Sequence, residues 1–70
     1  MADVVGYELQ ARRERGGWET VRHFAIGEQA EARAAFERAR HEGAAALRLI
    51  EERVDQDGLF HSRTLGLRTA

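Results

Sequence analysis

The stretch VVGYELQARRERGGWETVRHFA, residues 4–25, decides the fold because it encodes a β-hairpin. In its first part apolar side chains alternate with polar or small ones, at Val5, Tyr7, Leu9 and Ala11. This period of two predicts a strand over residues 4–13 with one apolar face. Gly16 and Gly17 follow, and glycine tolerates the positive φ of tight turns. The chain is therefore expected to reverse here and to return as a second strand over residues 18–25.

The large apolar side chains of the returning strand do not fit a single face. They fall at every third residue, at Trp18, Val21 and Phe24. One interpretation is a β-bulge that switches the register within the strand. The other has Trp18 and Phe24 on one face and Val21 on the opposite face. Both interpretations leave apolar surface on two sides of the sheet.

Residues 28–42 are expected to form a helix, because alanine, the strongest helix former, recurs through them. Glu28 and Glu31 lie near the positive end of the predicted helix dipole. Gly43 suits the position just after the last helical residue. On a helical wheel one stripe is apolar and has a single large side chain among small ones, at Ala32, Ala35, Phe36 and Ala39. A helix with such a stripe can approach a sheet closely.

Two further strands are expected, over residues 45–55 and 59–67. Between them Asp57-Gly58 is a strong signal of a hairpin turn, and residues 68–70 are expected to form a frayed tail. The predicted order is β-β-α-β-β, a single α+β domain of 70 residues. It has a four-stranded, mainly antiparallel sheet with one helix packed on one face. The strand order 2-1-3-4 is favoured.

The composition predicts a small folded protein of thin stability. The chain has no cysteine for disulfides, and at this length a core supplies about 3–5 kcal/mol. Small chains of this kind often associate. The net charge is −1 and no long block of one sign is present, so charge does not identify a partner. All basic residues other than histidine are arginine, which is typical of a GC-rich bacterial genome. No leader or membrane span is apparent, and a cytoplasmic location is expected.

No pattern of catalytic or metal-binding residues is apparent. The three histidines, His23, His41 and His61, are scattered over a strand, the helix and another strand. A zinc site normally needs four ligands at defined spacing, so no metal is expected. Ser62 is the only serine, and the sequence contains no glycine-rich phosphate loop. The sequence therefore predicts neither an enzyme nor a cofactor.

The number of sheet faces points to an interaction surface. One helix covers one face of a four-stranded sheet, so the second face meets water or a partner. If the second face is only solvated, apolar and polar residues should alternate cleanly along each strand. The second and third predicted strands do not. We therefore expect a protein-interaction or accessory module that binds a protein partner or itself, as a homodimer, through this face or an edge strand. Candidate interface residues are Trp18, Phe24, Ile50 and Phe60.

The alternative is a nucleic-acid-binding module that uses the first hairpin. The candidate contacts combine guanidinium groups with an aromatic ring for stacking, at Arg12, Arg13, Arg15 and Trp18. Glu8, Glu14 and Glu19 lie in the same segment, and the sequence pI is 6.3. Because nucleic-acid-binding domains usually carry a basic patch and a high pI, this function is the less favoured one.

Overall fold

The structure, a computed structural model, describes residues 3–70. It contains the strands β1 (Asp3–Arg12), β2 (Trp18–Ala25), β3 (Ala46–Val54) and β4 (Phe60–Thr69), and the helix α1 (Gln29–Arg38), which follows a 3-10 turn at Ile26–Glu28. The strands form one sheet in the order β2-β1-β3-β4, and every neighbouring pair is antiparallel. The predicted α+β class, the β-β-α-β-β order and the strand order are confirmed. Within residues 3–70, no helix is long and apolar enough to cross a membrane.

The helix packs on one side of the sheet, which we call the covered face. Tyr7 lies opposite Phe24 on β2, and Leu9 lies opposite Leu49 on β3. These four side chains and Ala32 of the helix form the buried core. Because opposite residues in a ladder share a face and successive residues alternate, the other side of each strand forms a second surface, the open face.

A β-bulge in β2 separates its two aromatic residues. The register shifts between Leu9 and Gln10, which leaves Val21 without a partner on β1. Phe24 therefore faces the helix, whereas Trp18 lies on the open face. Of the two interpretations of this strand, the bulge is the correct one. The arrangement with Trp18 and Phe24 on the same face is wrong.

The other two ladders are also irregular. β1 has one extra residue, Val5, relative to β3, and β4 has one extra residue, Leu65, relative to β3. The second irregularity directs both Leu65 and Gly66 towards the helix, where the Phe36 ring packs closely on Gly66. Leu67 consequently emerges on the open face, opposite Arg48. Bulges of this kind bend a strand and re-aim its side chains.

The helix is shorter than predicted, because it ends at Arg38 rather than near residue 42. Ala39 has extended backbone angles, and its N–H donates to the carbonyl oxygens of Ala35 and Phe36. The assignment of Gly43 to the helix end is wrong. Glu42 and Gly43 both have positive φ, 47° and 87°, and form a turn closed by the Ala44 N–H donating to the His41 carbonyl.

Strand β4 continues to Thr69, so the expectation of a frayed tail over residues 68–70 is wrong. Arg68 lies opposite Leu47, and the Ala70 N–H donates to the Ala45 carbonyl at 2.9 Å. The Arg68 guanidinium donates to the carbonyl oxygens of Phe36 at 2.8 Å and Ala39 at 2.9 Å. These carbonyls lie at the helix end, where backbone acceptors lack helical partners. Arg68 thus ties the last strand to the end of the helix.

Candidate interaction surface

The open face is a broad surface formed by all four strands. β1 and β2 contribute Glu8, Gln10, Arg12, Trp18, Thr20 and His23. β3 and β4 contribute Arg48, Ile50, Glu52, Phe60 and Leu67. The helix packs on the opposite side, so the side chains of this face contact one another and solvent. The surface is therefore available to a partner without any change in the core.

An aromatic ring with two guanidinium groups forms one end of the open face. Trp18 lies opposite Arg12 in the ladder, and the Arg12 Cζ is 5.5 Å from the centre of its ring. The Arg48 Cζ is nearer, at 4.1 Å. The Arg48 Nε donates to the Gln10 Oε1 at 2.7 Å, which fixes the orientation of the guanidinium plane. Such cation–π contacts contribute about 0.5–1 kcal/mol at exposed sites, so the cluster is held in place before any partner binds.

Two carboxylates and a histidine lie on the acidic part of the same face. Glu8 lies opposite His23, and Glu52 lies opposite Gly6. A Cβ on Gly6 would lie 3.1 Å from the His23 Nε2, so the missing side chain makes room for the imidazole ring. A hydrogen bond with the Glu8 carboxyl raises the pKa of Glu52, and burial and the negative charge of Glu8 act in the same direction. The positive charge of His23 opposes them.

Apolar side chains lie between and beside these charged groups. Ile50 is 5% exposed and lies in the floor of a shallow groove of about 380 Å³ that Phe60 borders. Phe60 is 73% exposed and Leu67 is 59% exposed. Both belong to β4, at the edge of the sheet. The open face therefore combines a buried apolar floor with two large side chains that have little contact with the rest of the chain.

The structure places the four predicted interface residues on different surfaces. Trp18, Ile50 and Phe60 are on the open face, although the register places Trp18 and Phe60 at diagonally opposite corners of it. Phe24 is 1% exposed and lies in the core beneath the helix, so its prediction as an interface residue is wrong. The bulge at Val21 causes the difference.

Two residues of the open face, Leu67 and Arg48, are not among the four predicted interface residues. Simple alternation places Leu65 and Leu67 on the same face, but the bulge between them separates the two side chains. Arg48 was also missed, since a lone arginine in a strand has no distinctive pattern. The sequence contains one signal that would indicate Arg48: it occupies every second position of β3 together with Ile50 and Glu52, so the three side chains share one face.

The residues of the predicted nucleic-acid site are also divided. Arg12 and Trp18 lie together on the open face. Arg13, after the end of β1, borders a cavity on the helix side together with Glu19 and His41. Arg15 is exposed in the loop between the strands. The structure thus brings only part of this set together.

No cluster of histidine or acidic side chains suited to a metal ion occurs within residues 3–70. His41 lies 3.4 Å from the Arg68 carbonyl, whereas His61 pairs with Asp55 at 2.7 Å between Nε2 and Oδ2. His23 is on the open face. The three imidazole rings therefore have separate surroundings.

A second groove, of about 690 Å³, lies between the helix and β2. Its lining includes Ala30, Ala34 and the edge of Leu9, with Arg22 and Arg38 at its borders. The Arg22 Cζ is 4.6 Å from the centre of the Phe24 ring, so this guanidinium covers part of the core. Besides small alanine side chains, the lining of this groove includes the charged residue Glu31. No protein-family model, curated protein sequence or solved structure matches this chain.

Proposed function

We propose that this chain is a non-catalytic protein-interaction module that binds its partner through the open face. The observation that supports the proposal best is the exposure of Phe60 and Leu67 on the side of the sheet that the helix does not cover. Single exposed apolar residues are common, but here Phe60 borders the Ile50 groove, and Leu67 lies opposite Arg48, whose guanidinium stacks on Trp18. Large apolar side chains exposed among polar ones on an uncovered face are typical of protein interaction sites.

In the isolated chain, the side chains of Phe60 and Leu67 leave most of their apolar surface in water. Phe60 and Leu67 lie outside the buried core cluster, so they contribute little to its stability. Fully burying a side chain of this size yields about 1.5–3 kcal/mol. Most of that free energy remains to be gained on binding.

The composition of the open face supports a protein partner. Tryptophan, tyrosine and arginine dominate the binding energy of protein interfaces, and Trp18 with Arg12 and Arg48 forms such a group. The Arg48 guanidinium is already oriented by Gln10, so a smaller entropic cost accompanies its burial. An edge-strand partner on β4 would also lie beside Phe60 and Leu67. The face is preferred because it includes Trp18 as well.

One observation supports nucleic-acid binding as a second candidate function. Among residues 3–70, no carboxylate lies within 4.0 Å of the Arg12 or Arg48 guanidinium groups, so both are free to contact phosphate. Glu8 and Glu52 on the same face would repel a phosphate backbone. Phosphate contacts release counterions, so this function requires affinity that falls steeply with salt.

Two variants matched in exposure test the proposed function. Leu67 on the open face and Ile26 in the 3-10 turn are each 59% exposed. Purified wild-type chain, Leu67→Glu and Ile26→Glu are compared for self-association by light scattering and for proteins retained from an extract of the source cell. The expected result is that the wild type and Ile26→Glu associate equally and that Leu67→Glu loses association at least tenfold.

The proposal is overturned if both variants lose association equally, or if the wild type neither self-associates nor retains a protein. Retention of nucleic acid, recognised by absorbance at 260 nm and released by salt, would favour the second candidate function. Circular dichroism of both variants establishes that the introduced charge leaves the sheet intact.

A further inference from the structure

Along the strand direction, basic side chains lie towards one end of the open face and acidic side chains towards the other. Residues opposite one another in the ladders form rows that run across the sheet. Starting from the Trp18 end of the face, the charged side chains of the first four rows are Arg12, Arg48, Glu8 and Glu52, and a fifth row contains Asp3 and Phe60. Arg48 belongs to the row of Gln10, and Glu52 to the row of Gly6. Two basic rows are therefore followed by two acidic rows.

No ion pair within residues 3–70 neutralises either half of the face. Arg12 and Arg48 have no carboxylate partner within residues 3–70, whereas Glu8 and Glu52 lie against each other. Two carboxylates that close repel when both are ionised. The basic half therefore favours an acidic partner surface, and the acidic half favours a basic one.

A single surface satisfies both requirements, namely the same face of a second copy. When two identical sheets pack face to face, their two-fold axis lies in the plane between them. An axis parallel to the strands would bring equivalent rows together, with Arg48 near Arg48 and Glu52 near Glu52. An axis perpendicular to the strands, between the second and third rows, reverses the row order and brings opposite charges together.

We propose that the partner of the open face is a second copy of this chain, related by this perpendicular two-fold axis. The inference rests on the proposed function and specifies the partner. In the dimer Arg12 lies above the row of Gly6 in the second copy, next to Glu52 and to the His23 ring that covers Gly6. Arg48 faces the row of Glu8. Electrostatic complementarity of this kind selects the partner and fixes its orientation.

Apolar side chains lie close to the axis. Leu67 is in the second row, opposite Arg48, and Ile50 is in the third row. The perpendicular axis brings the second row of one copy onto the third row of the other. Because this axis keeps each strand above its own copy, Leu67 lies above Thr64 of the partner and next to Ile50 on the neighbouring strand. The exposed leucine thereby gains a contact at the groove that Ile50 floors.

The area of the open face is consistent with a second copy of the chain as the partner. Four strands spaced by about 4.8 Å, each of about ten residues at about 3.3 Å per residue, form a face of roughly 600 Å² before side-chain relief. A stable protein interface buries about 800 Å² on each partner. A dimer therefore needs essentially the whole face, which agrees with charges and apolar side chains that extend from end to end.

Charge reversal at Arg12 and Glu52 tests the arrangement. These residues belong to the first and fourth rows, which face each other in the dimer, and the Arg12 Cζ lies 5.5 Å from the centre of the Trp18 ring. The exposed Arg33 on the helix supplies the control variant Arg33→Glu. Light scattering is measured for the wild type, Arg12→Glu, Glu52→Arg, Arg33→Glu and an equimolar mixture of Arg12→Glu and Glu52→Arg.

The wild type and Arg33→Glu are expected at twice the 7.9 kDa chain mass. Arg12→Glu and Glu52→Arg alone are each expected to dimerise at least tenfold more weakly, because each places like charges together. Their mixture is expected to restore a dimer, because all four row contacts then join opposite charges. Thermal unfolding of each variant verifies that the chain is folded.

A wild type that is monomeric at hundreds of micromolar would overturn the second copy as partner. The proposed function would still stand if Leu67→Glu lost a retained protein and Ile26→Glu kept it. A dimer that Leu67→Glu dissociates, but that the charge reversals and their mixture leave unchanged, would overturn the perpendicular arrangement alone. Co-purifying nucleic acid released by Arg12→Glu and retained by Leu67→Glu would overturn both proposals.

Discussion

The two faces of this sheet contain similar residue types and use them differently. On the covered face Phe24 is 1% exposed, and on the open face Phe60 is 73% exposed. The covered face also buries Glu51, which accepts from the Arg53 Nε at 2.8 Å. On the open face Glu8 and Glu52 lie against each other and near His23, and within residues 3–70 neither forms an ion pair. The covered face is thus satisfied within the chain, whereas the open face has both apolar and charged groups that a partner would satisfy.

The largest expected contrast is between the two phenylalanines. Phe24→Ala should cost about 3–5 kcal/mol, because it leaves a cavity beneath the helix. A chain of this length has about that much stability in total, so the variant should be largely unfolded. Phe60→Ala should leave the monomer folded and change its stability by less than about 0.5 kcal/mol, since surface substitutions usually do.

Urea unfolding monitored by circular dichroism measures both variants. Measurements at low concentration in the Leu67→Glu background exclude any contribution from association. Equal losses in the two variants would show that the open-face ring is part of the folding core, which would remove the main argument for an interface.

A smaller effect is expected where the helix approaches the last strand. A Cβ at Gly66 would lie 2.6 Å from the Phe36 Cε2, so Gly66→Ala must displace the ring or the helix. Overpacking of this kind typically costs about 1–3 kcal/mol. Gly17→Ala is the matched control, because a Cβ there meets no atom within 4 Å and the backbone has no positive φ. Destabilisation by Gly17→Ala of equal size would contradict the close packing.

The tie between β4 and the helix end should contribute less. Arg68→Gln removes guanidinium donors from the Phe36 and Ala39 carbonyls, and hydrogen bonds to charged groups contribute about 1.5–3 kcal/mol at most. Because these carbonyls are near the surface and water can replace the donors, we expect a loss of about 1–2 kcal/mol. Hydrogen exchange at the Ala39 amide should accelerate in Arg68→Gln and stay unchanged in the control Arg40→Gln. No change at Ala39 would show that the helix ends there without help from β4.

These elements also explain what the sequence predicts and what it does not. The alternation through Tyr7 and Leu9 and the Asp57-Gly58 pair are local signals, and both hairpins and the strand order were predicted correctly. The end of the helix was not, because the groups that satisfy its last carbonyls come from Arg68, about thirty residues later. Ala-rich composition alone favours continuing the helix towards Gly43.

The residues of the candidate site were predicted in part for the same reason. Whether an apolar strand residue belongs to the core or to the open face depends on the bulges at Val21 and Leu65. A bulge is fixed by how neighbouring strands pair, so a period of two read along one strand does not reveal it. For this reason Phe24 was misplaced and Leu67 was not among the four predicted interface residues, whereas Trp18 and Phe60 lie on the open face.

The smallest expected effects concern two carboxylates with opposite pKa shifts. In the second hairpin, the hydrogen bond with His61 lowers the pKa of Asp55 below 3.8, and the Leu59 and Asp57 N–H groups add to it. A carboxyl group whose pKa is lowered by folding stabilises the folded state at pH values above its pKa in the unfolded chain. This contribution is lost as the pH falls through the pKa of the group in the folded chain. Asp55→Asn should therefore lower the melting temperature at pH 7, and the difference from the wild type should shrink below about pH 4.

Glu52 on the open face should show the reverse sign. Its pKa is raised above 4.5, chiefly by the hydrogen bond with Glu8. The protonated Glu52 carboxyl therefore stabilises the fold below about pH 4.5, and this contribution is lost as the pH rises through the pKa of the group in the folded chain. Glu52→Gln keeps a hydrogen-bonding group and removes the like charge, so it should raise the melting temperature at pH 7 and match the wild type near pH 3. Melting curves from pH 3 to pH 7 in the Leu67→Glu background measure both variants without association. If the melting temperatures of Asp55→Asn and Glu52→Gln depended on pH in the same way relative to the wild type, Glu8 and Glu52 would not be in contact.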